Sequence, residues 1–140
     1  MYTKILVAIE NSAADRAVLE HVEELARLTG AGLLLVHVAD GFAARHFDDL
    51  GLRESEEMRD DRAYLERLCA TMCGKGMVCA ARLAMGDPST ELVRVAGEEG
   101  VDLIAMSTHG HRFLQDLLRG STADRVRHGV SIPVLMVRAT

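Results

Sequence analysis

The chain alternates between short apolar runs and longer stretches in which apolar residues recur every three or four positions. Five runs read as strands: KILVAI (4–9), GLLLVHVA (32–39), MVCAARLA (77–84), VDLIAMS (101–107) and PVLMV (133–137). The first, second and fourth are apolar almost throughout, as strands covered on both faces should be. Between them lie helical patterns. Residues 13–29 set Ala14, Ala17, Val18, Leu25 and Leu28 on one face and Glu20, Glu23, Glu24 and Arg27 elsewhere. Ser12 or Asn11 is the expected cap of that helix, and Gly30 its stop. The segment 53–73 is strongly charged at first, then carries Leu65, Leu68 and Met72 at helical spacing. Residues 89–99 follow Pro88 and offer Leu92, Val95 and Ala96 as the buried stripe, with Gly97 weakening the helix a little. A last helix, about 121–128, begins at Ser121 or Thr122 and stops at Gly129, with Pro133 beyond.

Strands alternating with helices predict right-handed crossovers. The expected architecture is one α/β domain, residues 1–140, with an open parallel five-stranded sheet and helices on both faces, Rossmann-like. The segment 40–52, DGFAARHFDDLGL, is the one long irregular connection and reads as a candidate flap.

Composition sharpens this picture. The chain has 140 residues, 49% of them hydrophobic, yet aromatics make up only 4% and Trp is absent, so the core must be aliphatic. A net charge of −5 argues against a general binder of nucleic acid or acidic membrane. The opening MYTKILVAIE has too short an apolar run for a membrane span and no small-residue cleavage site. Cys69, Cys73 and Cys79 make an odd number with no secretory mark, which points to free thiols in a reducing cytoplasm.

In an open α/β sheet, ligands collect beyond the carboxyl ends of the strands, where the winding direction reverses. Those ends are Ile9, Glu10 and Asn11, then Val38 to Asp40, then Met106 to His111. The last of them opens the stretch STHGHRFLQDLLRGST, Ser107 to Thr122, with Gly110 and Gly120 nine residues apart. Glycines let backbone N–H groups approach an anion, and Gly120-Ser121-Thr122 opens a helix whose first N–H groups are unpaired. Such a terminus seats phosphate readily. Residues 109–128 hold Arg112, Arg119, Arg125 and Arg127 against Asp116 and Asp124, a net +2 in an otherwise acidic chain. Taken alone, the same residues also suit a plain turn at Gly110 and an ordinary N-cap at Ser121.

Ser107-Thr108-His109-Gly110, nine residues, then Gly120-Ser121 resembles the universal stress protein signature G-x2-G-x9-G-[S/T]. The resemblance covers the whole chain: KILVAIENS is similar to that family's opening strand, LLLVHV to its second, GDP (86–88) to its turn before the third helix, and VDLIAMSTHG and IPVLMVR to strands four and five. It implies binding of ATP, with or without Mg, and a part in stress response through conformational change and partner contact. Adenine would lie at Ala8, Ile9 and Glu10 and at Val38. Phosphates and ribose would meet Met106, Ser107, His109, Gly110, Gly120, Ser121 and Thr122, with Gly86 nearby. Three departures stand out: Glu10 replaces the family's usual Asp, Ser107 replaces the first signature glycine, and Phe113 occupies a place where glycine is frequent. Another branch of the family lacks the glycines, does not bind ATP and serves as an interaction module. Because Gly110, Gly120 and Ser121 are intact, the ATP-binding branch is the expectation.

THGH (108–111) also matches the T-x-G-H motif of nucleotidylyltransferases, and STADR (121–125) resembles their S-T-x-x-R. In that fold the histidine motif follows the first strand; here it follows the fourth, so the catalytic geometry is not expected to form. No G-x4-G-K-[S/T] loop occurs, no catalytic residue is assigned, and ATP hydrolysis would at most be slow. No metal site is expected either. His109 and His111 lack a partner pair at ligand spacing, Cys69 and Cys73 read as small apolar filler facing the core, and His37 as a satisfied core histidine. In the strand order that this topology implies, 3-2-1-4-5, the last strand lies at an edge. Members of the family pair there, which implies a homodimer through Pro133–Val137.

Overall fold

In the computed structural model, which describes residues 1–40, 52–108 and 122–139, every neighbouring pair of strands is parallel. The order along the sheet is β3-β2-β1-β4-β5. The strands are β1 (Lys4–Ala8), β2 (Gly32–Asp40), β3 (Cys79–Gly86), β4 (Leu103–Thr108) and β5 (Val134–Arg138). The helices are α1 (Asp15–Thr29), α2 (Leu52–Gly74), α3 (Pro88–Glu99) and α4 (Thr122–Gly129). The candidate flap, apart from its two end residues, and the central part of the Ser107–Thr122 stretch lie outside the described residues.

Side chains of a strand alternate between faces, so β1 feeds two cores. Ile5, Val7 and Ile9 join Leu33, Leu35, Leu103 and Ala105 beneath α1 and α2, where Val18, Val22, Leu65 and Met72 close the layer. Leu6 and Ala8 join Leu34, Val36, Ile104 and Met106 beneath α3 and α4, against Leu92, Val95, Ala96 and Val126. Ile5, Leu6 and Val7 have no solvent exposure at all, each worth roughly 1.5–3 kcal/mol of burial. The helices thus cover both faces of the sheet, as the apolar runs require.

Several expected boundaries move, each for a local reason. α1 buries Val18, Leu19, Val22 and Ala26, while Leu28, expected to be buried, is 85% exposed because the buried stripe is turned about 100° round the helix from the expected one, which leaves Leu28 opposite Leu19. Neither Ser12 nor Asn11 caps α1; Ala14 occupies the cap position without a side-chain bond. β3 begins at Cys79 rather than Met77, because Met77 N–H bonds back to Met72 C=O and closes the end of α2. β4 begins at Leu103, since Val101 N–H bonds to Ala96 C=O at the end of α3. Asp102 instead accepts the N–H groups of Thr3 and Lys4 and so pins the start of β1. Gly30 ends α1 in the left-handed conformation, as expected. Among the described residues no helix is long and apolar enough to cross a membrane.

The start of α3 carries its own anchor. Asp87 is the N-cap and Pro88 follows it; the Asp87 carboxylate accepts the Ser89 hydroxyl at 2.7 Å, the Thr90 N–H at 3.0 Å and the Thr90 hydroxyl at 2.8 Å. These donors, the Ser89 hydroxyl foremost, hold its carboxyl below the usual carboxylate range. A depressed folded pKa stabilises the fold at neutral pH, and that contribution is lost as pH falls through the folded value. Asp87→Ala is therefore expected to cost about 1 kcal/mol at neutral pH. In acid, below the carboxylate range, the gap to the unmodified chain should close; urea denaturation at both pH values checks it.

Candidate functional site

α1, which follows β1, packs on one face of the sheet, and α4, which follows β4, packs on the other. A crevice therefore opens between the carboxyl ends of these neighbouring strands. It holds a cavity of about 290 Å³, near the lower end of small-ligand sites. Ala8, Ile9, Glu10, Val38, Met106, Ser107 and Thr122 line it, so seven of the residues expected from the sequence come together. Gly86 does not line it. Gly86 takes φ +134°, and a Cβ there would lie 3.2 Å from Glu91 Cγ, so glycine serves the turn that aims α3 at the cavity. His109, Gly110, Gly120 and Ser121 lie outside the described residues.

Sequence reasoning missed Val36, His37, Pro88, Leu92, Thr108, Ala123 and Met136 as lining residues. Two of them follow from strand register, which puts Val36 beside Ala8 and Met136 beside Met106. Pro88 and Leu92 belong to the first turns of α3, and Thr122 and Ala123 open α4. The positive ends of two helix dipoles thus reach the same cavity.

The turn after β1 is held by one carboxylate. Asp15 is 1% exposed. Its oxygens accept the backbone N–H groups of Glu10 and Asn11, both at 2.8 Å, and of Ser12 at 3.2 Å. The Tyr64 hydroxyl adds a fourth bond at 2.7 Å from α2. This clasp fixes Asn11 at φ +61°, a left-handed conformation that Asn tolerates better than most residues. Asn11 Nδ2 in turn donates to Asp61 Oδ1 at 2.9 Å. His37 bridges the same parts: its Nδ1 meets Ile9 C=O at 2.8 Å and its Nε2 lies 3.3 Å from Asp61 Oδ2. His37 is thus a satisfied histidine, as expected, and it also forms part of the cavity wall.

The polar side chains in the wall of this mostly apolar space include Ser107 and Glu10. Ser107 Oγ is buried and has no hydrogen-bond partner among the described residues, a cost that a bound polar group would relieve. The Glu10 carboxyl is pushed up to about 7, first by burial and then by the nearby Asp15 charge, with the Ser12 side chain opposing. Among the described residues no group of three or more His, Cys, Asp or Glu side chains is arranged to hold a metal ion.

An open parallel α/β protein with a ligand-sized cavity at its switch point is the class that these features define. The model of the Universal stress protein family matches residues 1–138, and the chain belongs to that family. It is 28% identical to the universal stress protein MJ0577 of Methanocaldococcus jannaschii, over 99% of this chain and 96% of the relative. It is 30% identical to the universal stress protein A homolog 2 of Coxiella burnetii, over 98% and 95%. The solved structure of MJ0577 superposes with a TM-score of 0.87 at 27% identity, covering 100% of this chain and 98% of that one. A universal stress protein of Archaeoglobus fulgidus, solved in complex with dAMP, shares the fold with a TM-score of 0.71 at 23% identity, covering 97% and 98%.

Glu10 makes a pH-dependent contribution of unusual sign for a carboxylate. Its folded pKa of about 7 lies above the ordinary 4.5. The folded chain therefore holds an extra proton between these values, and stability falls as pH rises through that window. Glu10→Gln is expected to remove this slope. Solvent at this partly exposed position screens the effect, so it should raise stability by about 1–2 kcal/mol above the window, less than the full shift implies, and leave it unchanged below. Thermal melts across the window check the sign.

Proposed function

We propose that this universal stress protein binds an adenine nucleotide, ATP with or without Mg, and acts in the cytoplasmic stress response by changing conformation and contacting partners. The observation that carries the reading is the cavity itself. It is mostly apolar in its walls, about 290 Å³ in volume, edged by the start of α4, and includes the buried Ser107 Oγ, which has no hydrogen-bond partner among the described residues. A flat heteroaromatic base suits walls made by Ala8, Ile9 and Val38, and Glu10 offers a carboxyl for a polar edge or a ribose hydroxyl. Phosphates would run past Met106, Ser107 and Thr122 toward Gly86 and toward His109, Gly110, Gly120 and Ser121, in the direction of the α4 dipole. That a universal stress protein of A. fulgidus was solved in complex with dAMP supports an adenine nucleotide as the class of ligand. No catalytic residue enters this reading.

Purified protein is expected to release adenine nucleotide into acid, identified by chromatography, and to bind added ATP in calorimetry. Ala8→Leu, which extends a side chain into the cavity, should weaken binding at least about tenfold and leave the fold intact by circular dichroism. Gly120→Val should abolish binding through the phosphate end. A chain that neither carries nor binds nucleotide would instead belong with the interaction modules of the family.

The partner contact we propose first is a second copy of the chain, through Pro133–Val137. β5 is a sheet edge, it carries no charge before Arg138, and Met136 is 37% exposed. Leu135 and Val137 pack toward the α1 face, so Met136→Lys disturbs the core least; because Met136 also lines the cavity, this variant is read by oligomeric state alone. Light scattering is expected to find a dimer for the unmodified chain and a monomer for this variant. A monomer in the unmodified chain at micromolar concentration would refute the contact.

A further inference from the structure

Away from the cavity, the last turns of α2 and the first residue of β3 bring three free thiols together. Cys69 and Cys73 stand one helical turn apart, and Cys79 opens the strand. Val78 C=O pairs inward with Leu33 N–H at 2.8 Å, so by the alternation of a strand the Cys79 carbonyl points to the free edge of the sheet. Both helix thiols donate to that carbonyl, Cys69 Sγ at 3.1 Å and Cys73 Sγ at 3.7 Å. Cys69 is the nearer of the two to that carbonyl, and each thiol feels the charge of its neighbours, so the three sulfurs form one cluster with Cys69 at the strand side. Access differs. Cys69 and Cys79 are half-buried against the core beneath α2, whereas Cys73 is exposed. An accessible thiol in contact with a sheltered one is the arrangement that a reactive cysteine and its resolving partner require.

We propose that Cys69, Cys73 and Cys79 form a peroxide-responsive thiol site that closes an intrachain disulfide through Cys69. The Cys73 thiolate attacks a hydroperoxide; the O–O bond breaks, the sulfur gains OH as a sulfenic acid, and the departing alkoxide or hydroxide takes up the thiol's proton. Cys69 then attacks the Cys73 sulfur, the S–O bond breaks, and hydroxide leaves as water with the proton of Cys69. Two thiols are oxidised by two electrons in all, and the peroxide is reduced to an alcohol and water, or to water alone. Burial raises Cys69 and drives Cys79 above the ordinary thiol range, so both stay protonated at neutral pH and the exposed Cys73 is the thiol that peroxide reaches first.

Geometry decides what closure does. Side chains one turn apart have Cβ atoms about 5–6 Å apart, whereas a disulfide needs about 3.8 Å. A Cys69–Cys73 bond therefore opens the last turn of α2, which ends at Gly74 and runs on through Gly76 at φ +91°. Exchange with Cys79, slow because burial keeps that thiol protonated, then moves the bond across to the strand, and the Cys79 proton passes to the departing Cys73 sulfur.

The test uses the full reduced chain and hydrogen peroxide. Trypsin cleaves after Arg67, Lys75 and Arg82, which puts Cys69 and Cys73 in peptide 68–75 and Cys79 in peptide 76–82. Peroxide is expected to lower the titratable thiols from three to one per chain with loss of two hydrogens, reversed by dithiothreitol. The bond should lie within peptide 68–75 or join it to peptide 76–82 through Cys69. Cys69→Ser should abolish both products and leave a trappable sulfenic acid at Cys73. Cys73→Ser, a change at an exposed position, should slow thiol loss at least about tenfold. Three persisting thiols, oxygen accumulating on Cys73 of the unmodified chain without a disulfide, a Cys73–Cys79 bond, or disulfides between chains would each overturn the proposal.

Discussion

The placement of α1, which follows β1, and α4, which follows β4, on opposite faces of the sheet is the constraint on which the site depends. The two strands are neighbours, with Ile5 beside Leu103 and Val7 beside Ala105. α1 must cover one face and α4 the other, because β1 and β4 are apolar on both faces and neither face can be left to water. Helices on opposite faces part above the seam between these strands, where the cavity lies. A cavity at that point follows from how the cores are covered, before any residue in it is chosen for a ligand.

What the sequence then chooses is how rigid the rim will be. Asp15 and Glu10 are two carboxylates a few residues apart, with opposite surroundings. Asp15 is almost wholly buried but receives three backbone N–H groups and a tyrosine hydroxyl, so its burial is matched by donors. Glu10 sits in the wall of the cavity, where burial and the Asp15 charge favour its neutral form. The arrangement that clamps the turn is thus also the one that makes Glu10 sensitive to protons near neutrality. Tyr64 and Asp61 tie both residues' loop to α2, so a shift of α2 would be felt at the rim.

Periodicity made the element order, the parallel sheet and the covered strands legible, since each is a statement about which positions avoid water. It also recovered the buried stripe of α3, Leu92, Val95 and Ala96, and Leu65 and Met72 of α2. Leu28 escaped because a helix face read by residue type alone ignores where the sheet lies; the sheet takes the side of Leu19 and Ala26, opposite Leu28. The Asp15 clasp was not legible. An acidic residue in a first helical turn ordinarily means only a favourable dipole contact, and its bonds back to Glu10, Asn11 and Ser12 exist because the turn folds over it. Within the site, the strand ends were readable from topology, but Val36 and Met136 needed the register between strands, which no single strand encodes.

The two edges of the sheet show a further difference that follows from the same topology. β5 follows α4, and its side chains at Val134, Leu135 and Val137 are only half-buried, so the edge presents apolar groups and outward ladder groups together. β3 follows α2 through a short turn, and α2 bends its last turns over the strand. There the outward carbonyl of Cys79 is met by the thiols of Cys69 and Cys73, weak donors standing where the N–H of a sixth strand would lie. Arg82, farther along β3, is engaged with Glu98 and Glu99 of α3, which sets charge beside that edge. An edge closed by weak thiol bonds and guarded by charge resists pairing with another strand, yet is held by contacts that oxidation can rearrange. The same fold thus leaves one edge suited to a partner's strand and the other suited to chemistry on sulfur.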